Sequence, residues 1–332
     1  MSSDQVVLGI DVGGTKVAVG AVVGAQVTHQ EESPTPLSDT KALLDGIEAT
    51  ARRVIERVGA PAAIGVGVPS QIEHVTGLVE SSVNIPLTGV PLRDELTRRF
   101  DVPVFVDNDA NCAALAEAQL VDDAPASVLL MLTLGTGVGG GVIIGGEIFR
   151  GAHGLGAELG HFTLDPEGPP CPGNCPGRGC VEAYCSGQAL ERDATEFARD
   201  MADSGLADCL DEDGRVSGRA VVRIARDGDA DALRVFERFA RMLGVAIGGY
   251  VNVFEPEYVV IGGGLSRAAD LYFERAVDEA RSRALPALWR RVTVSLARGG
   301  AGAGVIGAGV LAAQGAARDT ARLRAESIEG AE

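Results

Sequence analysis

Residues 156–182 gather more chemistry than any other part of the chain. Gly156-Ala157-Glu158-Leu159-Gly160-His161 is followed by Cys171, Cys175 and Cys180, with Glu182 two residues beyond the last thiol. One imidazole and three thiols can complete the tetrahedral shell that zinc takes. Glu158 and Glu182 flank those ligands. Carboxylates and a neutral imidazole supply the acceptors that a hydroxyl-rich small molecule such as a sugar needs. Spacing alone leaves two plainer readings open: a purely structural zinc knob, or unmetallated cysteines among solvated glutamates.

A second candidate is Asp107-Asn108-Asp109-Ala110-Asn111, at the end of the apolar run 102–106 and the start of an Ala-rich segment. Polar groups where a strand opens into a helix are where open α/β sheets place their chemistry. Asp109, partly shielded there, could accept a hydroxyl proton during attack on a phosphoryl group, with Asn108 orienting that hydroxyl. The same residue types are also the preferred helix caps, and the pattern does not choose between the two roles. Three glycine turns complete the inventory: Asp11-Val12-Gly13-Gly14-Thr15-Lys16, Gly135-Thr136-Gly137 and Gly262-Gly263-Gly264. Glycine lets backbone N–H groups approach a phosphate closely, and a threonine hydroxyl adds a donor. Ordinary tight hairpins and a tight strand-to-helix connection would read the same way.

The elements that must position these residues follow from periodicity. Apolar strands at 6–10 and 128–134 each run into a glycine-threonine turn and resume beyond it, an approximate repeat that suggests two homologous α/β halves facing one another across a cleft. Helical spacing covers 39–58, 92–100, 112–120, 188–202, 216–227, 229–250 and 304–314, and buried strands are expected at 64–68, 102–106, 258–261 and 292–296. Gly244, Gly248 and Gly249 are expected to allow close helix packing, and the tail from Ala317 to fray at its end. At 332 residues, two domains are the default. A net charge of -17 argues against nucleic acid or an anionic membrane as partner. No apolar run reaches the ~20 residues of a membrane span, and the start lacks a signal-peptide pattern, so a cytoplasmic protein is expected. Cysteine usage, six with three in one cluster, fits a reducing compartment.

These residues together resemble the ROK family of sugar kinases and repressors, within the actin-like and hexokinase-like superfamily. The resemblance runs from Ile10-Asp11-Val12-Gly13-Gly14-Thr15-Lys16 to Ile261-Gly262-Gly263-Gly264 and is most specific over 151–182. It implies an α/β fold of two RNase-H-like lobes around a cleft. The small lobe would hold residues 1–120 and a C-terminal helix at about 304–320; the large lobe, 121–303, would carry a zinc-binding loop at 161–180. It implies transfer of the γ-phosphate of ATP, accompanied by Mg²⁺, to a hexose, with glucose phosphorylated at its 6-hydroxyl. Asp109 matches the family's catalytic base; Asn108, Glu158, His161 and Glu182 match its sugar contacts. His161, Cys171, Cys175 and Cys180 match its structural zinc ligands. Asp11, Gly13, Gly14, Thr15 and Lys16 match the first phosphate segment, Gly135, Thr136 and Gly137 the second, and Gly262, Gly263 and Gly264 the adenosine segment. A homodimer is also implied.

Two departures stand out. Pro172-Gly173-Asn174 separates Cys171 from Cys175 where the family usually has one residue, which puts Cys171 in question as a ligand. The family's Pro-Gly near the sugar appears as Pro69-Ser70, placing a hydroxyl at a substrate contact. Cys112, Cys185 and Cys209 match no family role and read as packing residues. The repressors carry an N-terminal DNA-binding domain for which this chain leaves no room, so an enzyme is expected. Kinases for N-acetylglucosamine, N-acetylmannosamine or fructose, a non-catalytic sugar sensor and an actin-like filament protein are the alternatives, and polyphosphate is the alternative donor.

Overall fold

The computed structural model describes residues 5–121, 126–201 and 203–329. The chain forms two compact units, one of Met1–Ala126, Gly141–Ala157 and Arg298–Glu332, the other of Ser127–Gly140 and Glu158–Ala297.

The first unit is built on a five-stranded sheet of order β3-β2-β1-β4-β7. Its strands are β1 (Val7–Val12), β2 (Lys16–Val23), β3 (Gln26–Pro34), β4 (Ile64–Val68) and β7 (Val104–Asn108). β1 and β2 form the expected antiparallel hairpin, while β1, β4 and β7 run parallel. Strand periodicity sorts their side chains. Leu8, Ile10 and Val12 join Leu43, Leu44, Ile47 and Val54 of α1 (Thr40–Val58) in one core, which Leu92 and Leu96 of α2 (Leu92–Phe100) extend. Val7, Ala18 and Val22 pack on the other face against Val305, Ala312 and Ala316 of the C-terminal helix α10 (Ala303–Glu329). That helix lies so close that a Cβ added at Gly9 would fall 1.9 Å from the Val305 carbonyl oxygen, and one at Gly65 1.7 Å from that of Ala308. A small hairpin, β5 (Ser70–Glu73) with β6 (Leu78–Ser82), and α3 (Asp109–Leu120) complete the unit, with the end of β9 (Val138–Ile144) and with β10 (Glu147–Ile148). α10 continues to Glu329, beyond the span expected from periodicity. Once its Ala/Gly-rich half is docked, each further residue adds a hydrogen bond at little cost.

In the second unit β8 (Val128–Leu134), β11 (Tyr258–Gly262) and β12 (Thr293–Leu296) pair in parallel. The helices are α4 (Glu182–Cys185), α5 (Gly187–Asp200), α6 (Gly218–Arg226), α7 (Ala230–Phe254), α8 (Phe273–Arg283) and α9 (Pro286–Trp289). α7 is capped by Asp229, whose side chain accepts from the N–H groups of Asp231 and Ala232. Of its three glycines, Gly244 and Gly248 meet α8, where a Cβ would fall 2.6 Å from the Ala276 carbonyl oxygen and 3.1 Å from that of Ala280; Gly249 faces open space. The expected close packing therefore belongs to two positions, one helical turn apart.

Candidate active site

In the first unit the ends of β1 and β7 carry the candidate groups. Asp107, Asn108 and Asp109 stand at the join of β7 and α3, and the capping role left open by the sequence falls to Asn108. Asn108 is the cap: its Oδ1 accepts from the N–H groups of Ala110 (2.8 Å) and Asn111 (3.4 Å), and its Nδ2 donates to the Ser70 carbonyl at 3.2 Å. Asp109 is thereby relieved of capping and opens the helix, its Oδ1 accepting from the adjacent Ala110 N–H at 2.8 Å. No side chain among the described residues hydrogen-bonds to it, and burial holds its carboxyl above the ordinary carboxylate range. A carboxyl raised in this way is a better proton acceptor than a solvated one.

Asp11 lies close enough to feel that charge. Burial first and Asp109 second push the Asp11 carboxyl up to about 6, against a smaller opposing effect of Lys16. The turn beyond it is closed by the Gly13 N–H to the Lys16 carbonyl at 2.9 Å and clamped from the end of β3 by the Thr35 hydroxyl to the Gly13 carbonyl at 2.6 Å. Thr15 is exposed, but the Lys16 ammonium is paired with Glu32 at 2.7 Å, so any anion drawn to Lys16 competes with that carboxylate. The Ser70 hydroxyl is likewise engaged, donating to the Ser82 hydroxyl at 2.9 Å. Sequence reasoning passed over Ser82; the signal available was a serine pair closing a short strand opposite Ser70.

In the second unit Glu182 and the turn between Glu158 and His161 both meet Val138. Glu182 opens α4 and its Oε2 accepts from the Val138 N–H at 2.7 Å; a Cβ on Gly137 would fall 2.4 Å from the same oxygen. Glu158 and His161 bracket a short 3₁₀ turn pressed on the Val138 carbonyl, 2.1 Å from where a Gly160 Cβ would stand, so only glycine fits there. Tyr250 fixes the turn by donating its hydroxyl to the Leu159 carbonyl at 2.5 Å. Both Glu158 and His161 are exposed.

The donor atoms of His161, Cys171, Cys175 and Cys180 all lie within 4.8 Å of one another. His161 Nδ1 stands 3.5 Å from Cys171 Sγ, about the edge of a tetrahedron with Zn–S ≈ 2.3 Å and Zn–N ≈ 2.0–2.1 Å. The Gly177 N–H points at Cys175 Sγ at 3.4 Å. Gly173, with φ +68, absorbs the longer Cys171-to-Cys175 spacing in a turn, so Cys171 stays in the cluster. Burial and the neighbouring thiols push the Cys171 thiol up, a cost a bound dication would reverse. The donor set and spacing fit zinc.

The two remaining glycine turns meet at the carboxyl ends of β8 and β11. Gly263 has φ +85, and a Cβ there would fall 2.4 Å from the Leu134 carbonyl oxygen, which places this turn against the start of Gly135–Gly137. α5 grips the other side: the Gly187 N–H donates to the Gly135 carbonyl at 2.7 Å. Beside them opens a cavity of about 740 Å³, lined by Thr136, Gln188 and Gly264 and by Arg219, Arg223 and Arg267. A concave, largely preformed pocket of this size suits a nucleotide, and its guanidinium groups offset an otherwise acidic chain.

A family model described as ROK family matches residues 7–315. The chain belongs to the ROK family. Among ROK proteins it is 37% identical over 319 residues to a glucokinase of Halalkalibacterium halodurans, covering 94% of this chain and 96% of that one. The crystal structure of a ROK hexokinase from Thermus thermophilus superposes with a TM-score of 0.82 at 36% identity, over 93% of this chain and 98% of the other. That of a ROK family glucokinase from Streptomyces griseus in complex with glucose and AMPPNP gives 0.76 at 32% identity, over 93% and 99%. ROK membership assigns the actin/hexokinase-type α/β fold. No helix among the described residues is long and apolar enough to cross a membrane.

Proposed function

We propose that this ROK protein is an ATP-dependent hexose kinase that phosphorylates glucose at its 6-hydroxyl. The observation that carries the reading is its likeness, over nearly the full length of both chains, to a relative solved with glucose and an ATP analogue. In this reading ATP occupies the 740 Å³ cavity, adenosine against Gly262, Gly263 and Gly264 and phosphates toward Gly135, Thr136 and Gly137. Asp11, Gly13, Gly14, Thr15 and Lys16 serve the phosphates from the first unit, the Lys16 ammonium exchanging Glu32 for them. Glucose is held by Asn108, Glu158, His161 and Glu182, with the Ser70–Ser82 hydroxyl pair adding a donor.

Asp109 takes the proton of the 6-hydroxyl as that oxygen forms its bond to the γ-phosphorus; the bond from the γ-phosphorus to the β–γ bridging oxygen breaks, and ADP carries away the electron pair. Magnesium accompanying the nucleotide supplies charge neutralisation, and the raised carboxyl of Asp11 is a group that a cation would relieve. Zinc would be held by His161 through Nδ1 and by Cys171, Cys175 and Cys180, leaving Nε2 of His161 for a sugar hydroxyl, so the order of the loop would set substrate geometry. We place the protein in the cytoplasm, as a homodimer.

A coupled assay across glucose, N-acetylglucosamine, N-acetylmannosamine and fructose, with ATP or polyphosphate, tests substrate and donor. Asp109→Asn should lower turnover by about 10²–10⁴-fold while glucose binding by calorimetry persists. Turnover unchanged in that variant, or none in the parent with any hexose, would refute the proposal.

A further inference from the structure

Behind Asp109 lies an ion pair that the chemistry above does not use. Asp107 at the end of β7 and Arg150 after β10 are 5% and 10% exposed, with Arg150 Nε 2.6 Å from Asp107 Oδ2. We propose that Arg150 is a positioning residue for phosphoryl transfer, acting through Asp107 to fix the helical turn that carries Asn108 and Asp109; the inference rests on the kinase reading above.

The two oxygens of Asp107 divide the work. Oδ2 meets Arg150, whereas Oδ1 accepts from the Asn108 backbone N–H and from Asn111 Nδ2, both at 2.8 Å. One carboxylate thus pins the first and last residues of the turn around Asp109. The guanidinium is itself tied to its own segment, Nη1 donating to the Ile148 carbonyl at 3.3 Å. Strand β9 supports the same turn: a Cβ on Gly141 would fall 2.9 Å from the Ala110 carbonyl oxygen and 3.2 Å from Asn111 Cα.

Removing the guanidinium leaves a buried carboxylate without its counter-charge, which must take up a proton or water. Either outcome disturbs the oxygen that orders Asn108 and Asn111. Asn111 has little to fall back on, because its buried Oδ1 already has no partner. The Asn108 cap would then loosen, and Asp109 would move with the turn. Displacing a catalytic group by ~1 Å costs about 10²-fold in rate. Lysine would restore charge but not the fork that reaches both Asp107 and Ile148.

The test compares full-length Arg150→Met, Arg150→Lys and Asp109→Asn with the parent, measuring kcat, KM for glucose and ATP, melting by circular dichroism, and rescue by added guanidinium. Arg150→Met, folded at the assay temperature, should lose about 10²-fold in kcat while KM for ATP stays within about twofold. Arg150→Lys should lose about tenfold, and guanidinium should restore kcat in Arg150→Met without raising its melting temperature. Parental kcat in a folded Arg150→Met, or a loss that tracks only the folded fraction and resists rescue, overturns the inference. Should Arg150→Met fail to fold, parental kcat in Arg150→Lys overturns it equally. A parent active with glucose, an inactive Asp109→Asn and normal Arg150 variants would sink this inference and leave the kinase reading standing; an inactive parent sinks both.

Discussion

Replacing Asp11 by asparagine should make the protein more stable at neutral pH while impairing catalysis. The Asp11 carboxyl is raised from 3.8 to about 6 by burial and by Asp109, a shift equivalent to about 3 kcal/mol between its two protonation states. The first turn of α10 offsets part of this. A Cβ on Gly304 would fall 2.4 Å from the Asp11 carboxyl carbon, and a helix N-terminus so close favours the anion by up to ~1 kcal/mol or more. The net cost of the charged form is therefore about 1–3 kcal/mol. Because the folded carboxyl binds its proton more tightly than the unfolded one, its contribution to stability is intact below pH 3.8 and is lost as pH rises through about 6. Asp11→Asn removes this dependence. Urea unfolding in metal-free buffer at pH 7.5 should show the variant more stable by about 1–3 kcal/mol, with a melting temperature higher by roughly 1–4 °C. That advantage should shrink between pH 6 and pH 4, and kcat should fall at every pH. A variant no more stable than the parent at pH 7.5, or an advantage that persists at pH 4, would refute the reasoning.

Two further outcomes are expected. Cys175→Ser, or prolonged chelation of the parent, should abolish about one equivalent of bound zinc by elemental analysis and with it glucose phosphorylation, since His161 serves both metal and sugar in the proposed site. Gly65→Ala should cost about 3 kcal/mol or more in urea unfolding, because its Cβ would stand 1.7 Å from the Ala308 carbonyl oxygen and α10 would have to lift off the sheet.

Features that depend on neighbouring residues and on glycine were readable from residue order alone. The β1–β2 hairpin, the parallel strands ending in glycine turns, the long helices and the cysteine cluster were legible because periodicity, capping and φ > 0 are local demands. Gly263, at φ +85 against the Leu134 carbonyl, is such a case. Tertiary structure decided what depends on pairs far apart in the chain. The Asn108 cap is anchored from afar, its amide donating to the Ser70 carbonyl 38 residues earlier in the chain. Lys16 met Glu32 across a sheet edge whose strand, β3, is polar and half-exposed and so carries no clear apolar alternation. Asp107 found Arg150 across 43 residues, and no spacing rule predicts a buried charge pair whose partners meet only when β10 docks beside α3. Residues 141–157 joined the first unit for the same reason: contacts, not composition, assign a segment to a core.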